Sequence, residues 1–86
     1  MKLIILFEDD PNVAPDLRRR HMAAHLAFLE AHAGEIDAAG PLSDPDGQGR
    51  DGLWVVDVDG PARAEALIRA DPFWPTGLRR SYSILQ

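Results

Sequence analysis

The chain contains no cysteine, which removes disulfides, thiolate nucleophiles and sulfur-ligated metals together, and gives no sign of an oxidising compartment. Long hydrophobic runs are also missing. LIILF, residues 3–7, is the longest apolar stretch near the start, too short to span a bilayer or to form the core of a signal peptide. No membrane association is expected, and the protein reads as cytoplasmic. Basic charge is scarce: 9 Lys and Arg stand against 14 Asp and Glu, a net charge of −5. An acidic chain lacks the positive field that phosphate recognition requires, so nucleic acid is not an expected partner. No serine sits in a nucleophile-elbow motif and no phosphate-cradling glycine loop opens a helix. No cofactor signature is present.

The 86 residues allow one domain, residues 1–86, around one core. A domain of this size buries only about 60% of its unfolded surface, so a deep pocket must lie at its edge or be completed by a second copy. Residues 2–8 (KLIILFE) form an apolar, β-branched segment ending at Asp9-Asp10-Pro11-Asn12, the pattern of a strand covered on both faces. A helix is expected from Ala14-Pro15-Asp16 to His32-Ala33-Gly34, with Gly34 as its left-handed terminator. Ile36 to Ala39 is a short strand stopping at Gly40-Pro41, and residues 41–52 are an exposed loop of turn-forming residues. In GLWVVDVD, residues 52–59, Leu53, Val55 and Asp57 alternate with Trp54, Val56 and Val58. Gly60-Pro61 opens a second helix that must end by Ala70 or Asp71, because the residue before Pro72 is pushed out of the helical region. An aromatic loop, Phe73-Trp74-Pro75-Thr76-Gly77, precedes a last strand, 78–85, on which Leu78, Tyr82 and Ile84 share a face with Arg80. The order βαββαβ is that of an α+β, ferredoxin-like domain, an antiparallel four-stranded sheet with both helices on one face. Apolar residues on both sides of the first and third strands call for a cover over the other face, most simply a second subunit, making a homodimer through the open sheet face.

Within RRRHMAAHLAFLEAH, residues 18–32, helical periodicity places His25 mid-stripe among Met22, Leu26, Leu29, Leu17, His21 and Phe28. A buried imidazole needs a partner, since a polar group buried without a hydrogen bond costs on the order of a few kcal/mol. A backbone carbonyl or water would satisfy it. Asp71 is the alternative, because a carboxylate closing the second helix meets the negative end of that helix dipole and requires an offsetting contact. Asp71 before Pro72 also suits a type I turn. Helices side by side on one sheet face could bring the two side chains together, and a carboxylate would orient the ring and fix its tautomer for general acid/base chemistry.

His21 and His25 have the i, i+4 spacing of a shared metal ion, but Met22 stands where a metalloprotease carries its glutamate, so no metal site is expected. Gly47 to Leu53 echoes one calcium-binding nonapeptide in a single copy, where a turn is the simpler expectation. Arg18, Arg19 and Arg20 fit a solvated helix face. Arg18 alone lies on the His25 side, where it could meet an anionic ligand. Phe73 and Trp74 could line a pocket or complete a core or dimer contact.

His25-Leu26 with Leu29, Ala39-Gly40-Pro41-Leu42, the loop ending at Gly52, Ala66, Asp71-Pro72-Phe73 and Gly77-Leu78 together resemble the YCII-related domain, nearly from end to end. The resemblance implies a ferredoxin-like subunit in a dimeric α+β barrel with its two sheets face to face, and a histidine–aspartate pair carried here by His25 and Asp71. It departs at Met22, where such domains often carry an arginine, leaving Arg18 and His21 as alternatives for a substrate's anionic end. The analogue it offers is dehydrochlorination of a hydroxylated aromatic. Two functions follow. In one, His25 moves a proton, Asp71 orients it, and Gly40, Pro41, Phe73 and Trp74 shape the pocket of a small lyase, isomerase or hydrolase whose substrate is a small organic molecule, anionic or phenolic. In the other, the same pair ties two helices in a noncatalytic ligand-binding or assembly module.

Overall fold

A computed structural model describes all residues, 1–86. The elements run β1 (Lys2–Asp9), α1 (Leu17–Ala31), β2 (Ile36–Pro41), β3 (Gly52–Asp57), α2 (Pro61–Ala70), a single 3-10 turn at Trp74–Thr76, and β4 (Arg79–Leu85). The strands form one sheet in the order β2-β3-β1-β4, and every neighbouring pair is antiparallel. This is the ferredoxin-like arrangement expected from the element order.

Alternation along the strands decides the two faces. Leu3, Ile5 and Phe7 of β1 and Trp54 and Val56 of β3 are buried and pack with Ala64, Leu67 and Ile68 of α2 and with Phe28 and Leu29 of α1. Both helices therefore cover this face. The intervening residues meet on the opposite face, where Ile4 pairs with Val55 and Leu85, and Leu6 pairs with Leu53. Ile4 and Leu85 are exposed there. A second, smaller core joins Leu17, Phe73 and Leu78, and fixes the start of α1 against the aromatic turn.

Three local expectations are corrected. The left-handed terminator at Gly34 is not used, since positive φ occurs only at Gly47, Gly49 and Gly77. Instead the N–H groups of Glu35 and Ile36 bond the His32 carbonyl, and the turn leads directly into β2. Gly40 and Pro41 lie inside β2 rather than beyond it, paired with Leu53 and Gly52. The face assignment of β4 is reversed at its start. Its register slips against β1 between Glu8 and Asp9, so that Asp9 pairs with Arg79 while Glu8 pairs with Ser81. Arg80 is the extra residue of a β-bulge, which turns Arg79 inward onto the helix-covered face and leaves Arg80 outside with Glu8.

The 41–52 loop is held by Asp44, which accepts backbone N–H bonds from Asp46 and Gln48 and a fork from Arg50. The Asp44 carboxyl is lowered to about 2, first by Arg50. Asp51 ties the loop to the sheet, its N–H bonding the Phe7 carbonyl and its carboxylate accepting the Asp9 N–H.

Candidate functional site

The site begins where α2 stops. Pro72 forces Asp71 out of the helix into an extended conformation, φ −63° and ψ 130°, while the Asp71 N–H still caps Leu67 and Ile68. The side chain thereby turns under the sheet-facing side of α1, fully buried. His25 comes down from the middle of α1 and is, with Leu17, one of the two buried residues of that helix. Its Nδ1 lies 2.9 Å from Oδ1 and 3.0 Å from Oδ2 of Asp71. The Phe73 ring stacks on the imidazole at 4.2 Å and 25°, holding its plane from behind.

Asp71 has two further donors. The Phe73 N–H reaches Oδ1 at 3.0 Å and Arg79 Nη1 reaches Oδ2 at 2.6 Å. Burial by itself pushes the Asp71 carboxyl up, but the His25 and Phe73 hydrogen bonds and the Arg79 charge together outweigh it and hold the group below the usual carboxylate range. Asp71 is therefore an anion at neutral pH, an acceptor only, and Nδ1 of His25 must donate. In the neutral ring this leaves the lone pair on Nε2.

Arg79 is the residue that sequence reasoning did not single out. Burial lowers its pKa while Asp71 opposes the shift, and a guanidinium remains cationic throughout. It lies 4.0 Å over the Phe7 ring, with Trp54 at 5.1 Å and Phe73 at 5.4 Å. Three aromatic faces thus surround a cation that keeps one carboxylate partner. The only sequence signal was the pair Arg79-Arg80 at a strand start, and unbroken alternation pointed to the wrong member of it.

His25 and Arg79 both line a cleft of about 150 Å³ between α1 and the β2–β3 side of the sheet. Its origin is compositional. Ala39 and Gly52 supply little bulk on the sheet side, so Met22, Leu26 and Leu29 of α1 stand over unfilled space. Leu26 is left 55% exposed at the rim. Gly40 and Pro41 form the β2 wall, and Arg18 lies at the lining in an ion pair with Asp9. Among the residues singled out from the sequence, His25, Arg18, Gly40 and Pro41 meet at this cleft, whereas Asp71 and Phe73 support it from below. His21 and Trp74 are not part of its lining. Trp74 instead packs edge-on against Tyr82 at 5.7 Å with Arg69 over its ring. No three His, Asp or Glu side chains converge as metal ligands, and no helix is long and apolar enough to cross a membrane.

The geometry offers an oriented imidazole with one free nitrogen, a buried anion behind it and a neighbouring fixed cation, all at a small and mostly apolar opening. Such a set can take a proton from, or return it to, a bound molecule. Among solved structures, 5-chloro-2-hydroxyhydroquinone dehydrochlorinase (TftG) from Burkholderia phenoliruptrix AC1100, in complex with 2,5-dihydroxybenzoquinone, is similar with a TM-score of 0.80 and 23% identity, over 100% of this chain and 92% of that one. A dimeric protein of unknown function with a ferredoxin-like fold from Bacteroides fragilis has a TM-score of 0.55 and 16% identity, over 98% and 90% of the two chains. A dimeric ferredoxin-like protein of unknown function from Thermobifida fusca has a TM-score of 0.54 and 22% identity, over 98% and 85%. At these identities the likeness is one of fold. No curated protein matches the chain by sequence. The model of the YCII-related domain matches residues 1–86, and the chain belongs to that family.

Proposed function

We propose that this chain is a small cofactor-independent enzyme of lyase, isomerase or hydrolase type that acts on a small organic molecule by general acid/base chemistry. His25 Nε2 exchanges the proton. Asp71 fixes the tautomer and offsets the charge of the imidazolium, and Phe73 holds the ring plane. Gly40 and Pro41 wall the cleft, and Arg18 stands beside it. The observation that carries this reading is the buried His25–Asp71 contact, made through Nδ1, at the lining of a cleft of about 150 Å³, the size that in another protein accommodates a single benzene ring. The dehydrochlorinase of similar fold was solved with a hydroxylated six-membered ring, which supports a phenolic or quinonoid substrate class here.

We also propose that two copies associate through the open sheet face, where Ile4, Leu6, Leu53, Val55 and Leu85 form an apolar surface on the side away from the helices. Two ferredoxin-like proteins of similar fold are described as dimeric.

A structural role for the same residues is favoured by one observation. Asp71 joins α1, the end of α2 and β4 through His25 and Arg79, which is what a tie between elements requires. His25→Gln separates the two readings. With 5-chloro-2-hydroxyhydroquinone as the trial substrate and chloride release as the signal, the enzyme reading expects wild-type turnover and a loss of at least a hundredfold in a folded variant. A folded variant that turns over like the wild type, or a variant whose only defect is melting, favours the tie.

A further inference from the structure

The buried Arg79 is more than the counter-ion of Asp71. Its Nη1 is engaged by the Asp71 carboxylate, while Nε and Nη2 make no hydrogen bond within the chain. Yet no side-chain nitrogen or oxygen of the protein is both sealed from solvent and unpartnered. Arg79 and His25 both line the cleft, and the Arg79 N–H groups left without a partner are not sealed from solvent. The two side chains are held at one carboxylate, Arg79 on Oδ2 and His25 bridging both oxygens. A donor fork from a guanidinium and a proton acceptor from an imidazole are thus presented side by side. Arg18, by contrast, is already paired with Asp9 and is partly exposed, where water screens its charge.

We infer that Arg79 is the oxyanion-binding residue of this cleft, and that the ligand it selects is a planar ring bearing an acidic hydroxyl, an enol or a phenol whose conjugate base it holds. The inference rests on the proposed acid/base role of His25 and deepens it. The ligand O–H bond breaks, its proton passes to Nε2 to give the imidazolium, and the electron pair stays on oxygen as an oxyanion that accepts the free Arg79 N–H groups. Atoms and charge balance without any further reactant. Asp71 and Arg79 cancel one another, so the new oxyanion and imidazolium form a second neutral pair beside the first. Cleft walls built from Phe7, Trp54, Met22 and Pro41 suit the faces of such a ring, and low polarity around the fork strengthens its hold on the oxyanion.

Binding calorimetry with two quinones of similar outline tests this directly. 2,5-Dihydroxybenzoquinone carries acidic hydroxyls and is anionic at neutral pH, and 2,5-dimethoxybenzoquinone cannot ionise. The wild type is expected to favour the first by at least tenfold. Arg79→Met should abolish that preference and leave the weak binding of the second little altered. Arg79→Lys serves where the methionine variant is not folded by circular dichroism: one ammonium committed to Asp71 cannot also offer the fork, so a loss of at least fivefold for the anion is expected. Arg18→Gln should cost less than either. Survival of the full preference in the folded Arg79 variant overturns the inference, as does a wild type with no preference. Binding is read without turnover, so a catalytically silent His25→Gln result would defeat the enzyme reading alone, whereas an unchanged anion preference would defeat only the role of Arg79.

Discussion

Asp71 is one carboxylate serving His25, Arg79 and a backbone N–H at once, and it is the side chain on which the site depends most. Removing one member of a buried ion pair costs about 3–5 kcal/mol because the other charge is left uncompensated, a large share of the roughly 5–15 kcal/mol that holds a domain together. Asp71→Asn keeps the shape but not the charge, and should lower the melting temperature by at least about 10 °C for a domain of this size. Its pH dependence has a defined sign. The folded-state pKa of Asp71 lies below the ordinary value, so its contribution is complete above the unfolded pKa and is lost as pH falls through that value toward the lower folded one. Wild-type protein should therefore lose thermal stability below about pH 4, and Asp71→Asn should show a shallower loss over the same range. Glu8, Glu35, Asp44 and Asp57 are also depressed, so the difference between the two proteins, rather than the wild-type slope, measures Asp71. Equal slopes would contradict the assignment.

Among the elements, the short path from α2 to β4 sets the site. Asp71 and Phe73 lie within it, and Arg79 opens β4 directly after it. It is closed by Thr76, whose Oγ1 donates to the Phe73 carbonyl and accepts the Leu78 N–H, and by Gly77 at φ 79°. A residue with a Cβ is strained there by about 1–2 kcal/mol, so Gly77→Ala should reduce the melting temperature by about 5–10 °C. An unchanged value would mean that the turn relaxes freely. This segment also marks the limit of what sequence showed. The strands and helices were legible because their faces repeat with period 2 or 3.6, which set Trp54, Val56 and Val58 together on one face and allowed His25 and Asp71 to come within reach of each other. Arg79 was not, because alternation assumes an unbroken ladder and the bulge at Arg80 breaks it. Gly34 misled for a related reason: a glycine permits a left-handed cap but does not require one, and here the next two N–H groups close the turn. Leu26 was expected in the core, yet the small residues of β2 and Gly52 gave it nothing to pack against.

On the scale of the whole molecule, a two-layer fold leaves one sheet face without helices, and here that face carries Ile4, Leu6, Val55 and Leu85. If a second copy covers it, as we propose, Val55→Lys places an unpaired charge in the centre of the contact and should convert a dimer into a folded monomer in light scattering. A wild type that is monomeric at micromolar concentration would remove this part of the proposal. The measurement that bears most directly on the cleft is nitrogen NMR of the His25 imidazole, with and without 2,5-dihydroxybenzoquinone. We expect the neutral ring to carry its proton on Nδ1, bonded to Asp71, and the free Nε2 resonance to shift toward the protonated position when the ring anion binds and its charge draws a proton from water onto Nε2. A neutral ring protonated on Nε2, or an Nε2 resonance unmoved by a ligand that does bind, would contradict the acid/base role of His25.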